Sequence, residues 1–567
     1  MRARSIGTEV MMALVVAVAA SGCRQEPADL VVLGGTIVTM DRFKPTAQAL
    51  AVRGGRIAAV GSEDEMGSLV GPSTRVLDLA GAVAVPGLID AHGHFLSLGK
   101  SQLQLDLRQA ADWPAIVAMV AEAAAAARPG EWILGRGWHQ EKWAAPPDPA
   151  VEGLPLHTEL SAVSPANPVL LTHASGHAAI VNARAMELAG ITPESEDPAG
   201  GKILRDAAGL PTGVLIETAA DAVAALADRE PSADELRQMA ELAAAECLAN
   251  GITSFQDGGA SFAEVELLRG LAEAGRLPVR LWIMLAEDNE TLTGRLPGYR
   301  VNDVGGGFLT VGGIKRYADG ALGSHGAWLL EPYSDLPEST GLAIASAEEL
   351  AAAARLAAEH RLQLCTHAIG DRANRVTLDV YEETLMRLAD GDRRRWRIEH
   401  AQHLSPDDVS RFGELGVVAA MQPVHCTSDG PWVPLRLGEQ RAREGAYVWR
   451  SLLDHGAVIA SGTDTPVEDI DPIATFSAAV SRRMADGTAF YPTQRMSREE
   501  ALRSMTLAAA YAAFEEDRKG SLEVGKLADI TVLSQDLRIV DEDEIPATQV
   551  LATVVGGAVR YSYSAGS

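Results

Sequence analysis

The chain has 567 residues, of which 47% are hydrophobic and 22% charged, and its formal net charge is −27 at pH 7. That length exceeds what one hydrophobic core serves and points to more than one folded unit. The acidic balance disfavours nucleic acid and anionic membrane surfaces as partners; simple solubility accounts for it.

The first element is a signal. Arg2 and Arg4 precede an apolar run over 10–20, and its last residue Ala20 opens the sequence Ala20-Ser21-Gly22-Cys23. A charged start, an apolar stretch too short to span a bilayer and a small-residue cleavage site are the marks of secretion. The stretch resembles a bacterial lipoprotein signal. It implies removal of 1–22 as a signal peptide, lipidation of Cys23, and a lipid-anchored protein of the bacterial cell envelope facing away from the cytoplasm. Membrane contact is then expected only through the N-terminal anchor. Ordinary cleavage and a soluble exported protein is the alternative. No other stretch reaches the ~18 apolar residues of a membrane-spanning helix. Cys247, Cys365 and Cys426 show neither metal-binding nor disulfide-scaffold spacing.

Next come short β-branched runs broken by glycine over 29–40, 49–61 and 74–87, and similar runs recur over 526–536 and 549–561. Both chain ends are therefore expected to build one small β-sandwich domain, from 23–85 and 515–567, around a larger domain at 86–514. In that larger domain, strand patterns alternate with helical ones. They run from GAVAVPGLIDAH through GITSFQD, PVRLWIMLAE, LTVGGIKRYAD, RLQLCTHA, RRWRIEHAQ and GVVAAMQPVH to GAVIASGTD, with helical patterns such as 232–250 and 346–360 between them. Eight such strands predict an α/β fold, a (β/α)8 TIM-like barrel. The extra residues at about 100–250 are too many for a simple crossover and predict an inserted subdomain after the first barrel strand.

Catalytic groups of such barrels cluster at the C-terminal ends of the strands. There the sequence places His92 and His94 (strand one), Lys315 (strand four), His367 (strand five), His400 (strand six) and Asp464 (strand eight). His92 and His94 alternate along a strand and so face the same way. Imidazole and carboxylate are standard ligands for zinc and similar divalent metals. Lys315 is the odd member, because an ammonium has no lone pair to offer a metal. On the residues alone it is either modified or a plain cation, beside a single metal or paired with Asp319.

The stretches PGLIDAHGHF, IKRYADGALGS, THAIGDRAN, RIEHAQ, MQPVH and SGTDTPVEDIDP resemble the amidohydrolase superfamily, in particular the family 3 branch that includes N-substituted formamide deformylase. GSLEVGKLADITVL resembles the return of such chains into the small β-domain. The resemblance spans nearly all of the chain after the signal. It implies two divalent metals, with zinc the first choice. His92, His94 and Asp464 would bind one and His367 and His400 the other, with Lys315, carboxylated by carbon dioxide, between them. It also implies attack by a hydroxide formed at the metals, with Asp464 moving the proton. His425, which follows the seventh strand, is expected from its place to orient the substrate carbonyl. Superfamily deaminases place a glutamate three residues after the strand-five histidine; here Gly370 stands there. The expected activity is hydrolysis of a carbon–nitrogen bond in a linear, non-peptide amide, with an N-formyl or N-acyl amine as the small-molecule partner. A cyclic amide or ester/lactone hydrolase and a non-catalytic envelope binding or signalling protein are the alternatives. Trp138, His139, His173 and His177, in the insertion, are expected on the substrate side, with Arg136 and Trp143 nearby. His325 and His403 are as readily loop residues, and the oligomeric state is open. No phosphate-binding loop is present in the sequence.

Overall fold

A computed structural model of the chain describes residues 26–140, 143–174, 178–198, 201–227, 231–388 and 394–563. The expected signal, Cys23 and His177 lie outside the described residues. No described helix is long and apolar enough to cross a membrane.

Eight parallel strands form one sheet in sequence order. They are β1 (Leu88–Gly93), β2 (Ile252–Ala260), β3 (Arg280–Leu285), β4 (Leu309–Tyr317), β5 (Gln363–Ala368), β6 (Arg397–His400), β7 (Val418–Met421) and β8 (Val458–Ser461). β1 and β3 are buried throughout, as expected of strands covered on both faces, which read as apolar runs rather than alternations. The barrel closes between β8 and β1 through the Asp90 carboxylate. Its Oδ1 accepts from Thr463 N (3.1 Å) and its Oδ2 from Thr463 Oγ1 (2.6 Å). Asp464 N donates to His92 O at 2.7 Å and His94 N to Thr465 O at 2.8 Å. This seam sets the strand-one histidines and Asp464 side by side.

The first predicted strand divides in two. Val83–Pro86 pairs antiparallel with Ile530–Leu533, in a six-stranded sheet that both chain ends share, and Leu88–Gly93 enters the barrel. Gly87 lies at the break. A Cβ there would come within 2.2 Å of Thr253 Oγ1, so the turn between domains demands glycine. A four-stranded sheet of Leu30–Leu33, Ala49–Arg53, Arg56–Gly61 and Arg75–Asp78 completes the sandwich. Its Leu30, Leu50 and Val52 share one core with Ile530, Val532 and Val554.

The insertion has its own six-stranded sheet, from Leu105–Asp106 to Pro211–Glu217, with a core around Trp113, Trp138 and Leu160. It stops earlier than predicted. Helix Ala233–Ala249, capped by Ser232, packs its Met239 and Cys247 into the barrel core beside Phe95. Arg108 ties the insertion to the barrel rim, pairing with Asp106 and with Asp469 in the loop after β8.

One buried ion pair joins barrel to sandwich. Arg280 Nε lies 2.7 Å from Asp529 Oδ2 and its NH2 3.0 Å from Oδ1, and Gly556 N donates to the same Oδ1. Both side chains are about 95% shielded or more (3% and 4% exposed). Asp529→Asn leaves the guanidinium buried without its counter-charge. We expect a loss of about 3–5 kcal/mol, the usual cost of breaking a buried pair, read as a lower denaturant midpoint. An unchanged midpoint would contradict the assignment.

Candidate metal centre

The expected groups meet at the C-terminal mouth of the barrel. His92 Nε2 lies 3.6 Å and His94 Nε2 3.3 Å from Asp464 Oδ1. The His92 and His400 rings are 4.9 Å apart, and those of His400 and His367 4.5 Å. His92, His400 and Asp464 each offer a ligand atom within 4.8 Å of the others. Gly258 on β2 makes the room, because a Cβ there would press to 2.9 Å of the His92 ring and 3.2 Å of the His94 ring. His400 and Asp464 both adopt positive φ (75° and 60°). A non-glycine residue holds that conformation at a cost of order 1–3 kcal/mol, which is characteristic of functional sites.

Buried partners orient the imidazoles. Glu399 Oε2 lies 2.5 Å from His92 Nδ1. Glu399 is in turn gripped by Arg397, whose Nε and NH2 reach its two oxygens at 2.8 and 3.0 Å. An ionised carboxylate only accepts, so Nδ1 carries the proton and His92 turns its Nε2 lone pair toward the site. The state of Glu399 agrees: burial opposes its charge, but Arg397 and His92 hold it down to about 2. His400 follows the same logic. Its Nδ1 lies 2.8 Å from Gln422 Oε1, while Gln422 Nε2 donates to Ala420 O. His400 Nδ1 is then the donor and its Nε2 lone pair is free for a metal.

Burial, with Lys315 nearby, pushes His92 down to about 4 and His367 down to about 3. Burial lowers His400 as well. All three are therefore neutral near pH 7, the form in which imidazole ligates. Burial works against the Asp464 charge, yet the imidazoles of His94, His400 and His92 that face it favour the ionised form and hold it well below the usual carboxylate range.

Lys315 is 2% exposed. Its Nζ lies 3.4 Å from His92 Nε2 and 4.9 Å over the Tyr317 ring. Burial lowers its pKa, against the attraction of Glu399 and Asp464. Asp319 is not its partner. That carboxylate accepts three backbone N–H groups, from Trp328, Ile369 and Gly370 at 2.8–2.9 Å, and so organises the loops after β4 and β5.

These residues fit a metal. His367 Nε2, Asp464 Oδ1 and His425 Nε2 are buried without a hydrogen-bond partner among the described residues. Such atoms cost about 1–3 kcal/mol each when left unsatisfied, and a cation would engage a lone pair at His367 and Asp464. Imidazole with carboxylate is a donor set for zinc and its neighbours.

The remaining candidates separate. His425, 8% exposed, sits at the site with Nε2 3.9 Å from Asp464 Oδ2 and its ring parallel to His400 at 6.2 Å. His139 and His173 face each other at 4.6 Å in the insertion, and His173 Nε2 lies 3.2 Å from Gln140 Oε1. Trp138 is fully buried, donates to Leu171 O at 2.8 Å and packs on Trp143 and His173; the insertion core occupies its ring. Arg136, on the same strand, is affected by the site's charge: burial lowers its pKa and Asp464 opposes this. His325 pairs with Asp335, and His403 packs on Tyr447 with both ring nitrogens buried. Sequence reasoning missed Arg397, Glu399, Gln402, Gln422 and Tyr447. The only hint of the first two was a pair of opposite charges, two residues apart, in the stretch that carries His400.

The model of the amidohydrolase family matches residues 75–561. The protein LONG AFTER FAR-RED 3 of Arabidopsis thaliana is 37% identical over 94% of this chain and 92% of its own length. N-substituted formamide deformylase of Arthrobacter pascens is 28% identical over 94% of this chain and 98% of its own. The crystal structure of an uncharacterized metal-dependent hydrolase from Pyrococcus horikoshii superposes with a TM-score of 0.74 at 27% identity, covering 91% of this chain and 99% of that one.

Proposed function

The chain belongs to the amidohydrolase family, and from that premise we propose that it is a metal-dependent hydrolase of a linear, non-peptide amide, an N-formyl or N-acyl amine. The observation that carries the reading is the meeting of His92, His94, Lys315, His367, His400 and Asp464 at one barrel mouth, with the ligand atoms of His367 and Asp464 left unpartnered. The formamide deformylase relative favours the N-formyl class.

His92, His94 and Asp464 would hold one divalent metal, and His367 and His400 a second, with zinc the first choice. When bound, such metals supply an activated water and a polarised carbonyl. Lys315 would join the two as a carbamate. Its neutral amine forms a bond to the carbon of carbon dioxide and loses a proton, which gives an anionic group with two oxygens. Burial of Lys315 supports this, because it disfavours the ammonium and keeps the lone pair that the reaction consumes. Asp464, ionised, accepts the proton of the attacking water and returns it to the leaving nitrogen. Gly370 leaves no carboxylate at the position that deaminases use.

The test is metal analysis of the purified protein, followed by a screen of N-formyl and N-acyl amines, cyclic ureides and lactones. Two metals per chain with turnover of the linear amides is the expected result. A metal-replete protein that prefers lactones or cyclic ureides, or hydrolyses nothing, overturns the reading. The lipid anchor is a separate proposal, supported by the residues around Cys23 alone. A radioactive fatty acid should label the full chain and not Cys23→Ser; an unlabelled parent would exclude lipidation.

A further inference from the structure

We infer that Gln402 is a positioning residue that holds His425 as its Nε2–H tautomer, so that His425 presents a hydrogen-bond donor, not a base or a metal ligand, to the oxygen of the substrate carbonyl. The donor's target rests on the hydrolase reading; the tautomer does not.

The protons can be followed along one chain of contacts. Tyr447 Oη lies 2.6 Å from Asp429 Oδ2. An ionised carboxylate has no proton to give, so the single phenolic proton points at Asp429. The phenol oxygen is left to accept, and the atom that reaches it, at 2.9 Å, belongs to the Gln402 amide. That atom must be Nε2, which assigns the amide orientation by chemistry. The same Nε2 lies 3.2 Å from His425 Nδ1. An amide NH2 donates and cannot accept, so Nδ1 is the bare nitrogen and the imidazole proton sits on Nε2.

Burial pushes the Asp429 carboxyl up to about 6, so it is ionised at about pH 8. The anchor of the chain is rigid. Tyr447 is 1% exposed and has a φ of 52°; its N donates to Gln402 O at 2.7 Å, and Arg482 donates to its carbonyl at 2.9 Å. A non-glycine residue is held at such a φ only where its surroundings over-determine it.

His425 Nε2 is buried, lacks a hydrogen-bond partner among the described residues and lies at the site beside Asp464. The contrast with its neighbours is informative. Glu399 and Gln422 Oε1 are acceptors and draw the protons of His92 and His400 to Nδ1, which turns lone pairs inward. Gln402 presents a donor and turns an N–H inward. His400 and His425 thus differ in which end of a glutamine amide faces Nδ1, the oxygen of Gln422 or the nitrogen of Gln402. An N–H at that place strengthens its bond as negative charge grows on the carbonyl oxygen during attack.

The experiment is nitrogen-15 NMR of the metal-loaded full chain labelled in histidine, at about pH 8, with the His425 signals identified by their loss in His425→Gln. The expected parent spectrum has an unprotonated Nδ1 and a protonated Nε2 at His425. Gln402→Glu places an acceptor there and should draw the proton to Nδ1, with metal content unchanged. Tyr447→Phe releases the amide and should give mixed tautomers. With formanilide as a trial amide, Gln402→Glu should lower kcat by about 10²–10³, as for loss of one transition-state donor, with KM little changed. A parent His425 protonated at Nδ1, or His425 shifts that do not respond to Gln402→Glu, overturns the inference. Absence of turnover by the parent counts against the hydrolase reading and leaves the tautomer to be decided by the spectra.

Discussion

Lys315→Ala should lose metal and activity together. We expect the variant to retain fewer than two metals per chain and its turnover to fall by more than about 10³-fold, beyond the 10–100-fold that loss of a merely supporting partner costs. The argument begins from what surrounds the amine. Among the described residues, Lys315 Nζ has one hydrogen-bonding neighbour, His92 Nε2 at 3.4 Å, and that nitrogen presents a lone pair which a metal would also claim. Glu399 is engaged by Arg397 and His92, so Lys315 gains only attraction at a distance from it. A buried ammonium placed so poorly is costly. As a carbamate the same side chain is an anion among ligands that need one.

The two accounts predict different stabilities. If Lys315 were a structural cation, its removal would unpair nearby carboxylates and lower the melting temperature of the metal-free protein. If its task is the carbamate, metal-free Lys315→Ala should melt at or above the parent, because a desolvated amine has been removed. A short carboxylate such as formate, supplied to the variant, should restore part of both metal and turnover by occupying the vacated space. Two metals per chain in Lys315→Ala would end the bridging role.

Much of this site could be read from the sequence because a parallel barrel makes its chemistry conspicuous. Strands buried on both faces are mostly apolar, so His92, Lys315 and His367 stand out as polar residues near the ends of such runs, while His400 was marked by its place at the end of the sixth strand pattern. The composite sandwich was legible for a related reason: Leu30–Leu33, Ile530–Leu533 and Val550–Val555 are β-branched runs bounded by turn residues. The break at Pro86–Gly87 was not, since two consecutive strands in different sheets look like one long strand until their partners are known. The end of the insertion was also hidden. Ala233–Ala249 is an alanine-rich amphipathic helix, and the same pattern serves an insertion helix or a barrel helix. The network behind the ligands was the least visible. Arg397 and Glu399 are fully buried, against the usual habit of charged residues, and only their mutual geometry explains why. Gln402 and Gln422 carry no charge and no periodic signal. Their meaning lies in which amide atom meets Nδ1, and that follows from their own partners, Tyr447 and Ala420.

Asp464→Asn should separate holding a metal from moving a proton. Asparagine keeps an oxygen of similar position, so the variant should retain substantial metal, while His92, His94, His367 and His400 variants should lose metal first. Turnover of an amide by metal-loaded Asp464→Asn should fall by about 10²–10⁴, the range for losing general acid–base catalysis. The geometry suits the carboxylate to both tasks. Oδ1 faces His92 and His94 at 3.6 and 3.3 Å, whereas Oδ2 points toward His425 Nε2 at 3.9 Å. One oxygen thus lies with the ligands and the other on the side where a substrate carbonyl would meet the His425 donor. The surrounding histidines keep Asp464 ionised, the form that can accept a proton. An amide nitrogen leaves poorly as an anion and needs that proton returned, whereas the alkoxide or phenoxide of an activated ester does not. Matched amide and ester substrates should therefore lose rate unequally in Asp464→Asn, the amide more. Equal losses would mean that Asp464 is not the acid for the leaving group. His425 could take that role only with a proton on Nε2 to give, which is the state that Gln402 imposes, so the next variant to measure on the same pair of substrates would be Gln402→Glu.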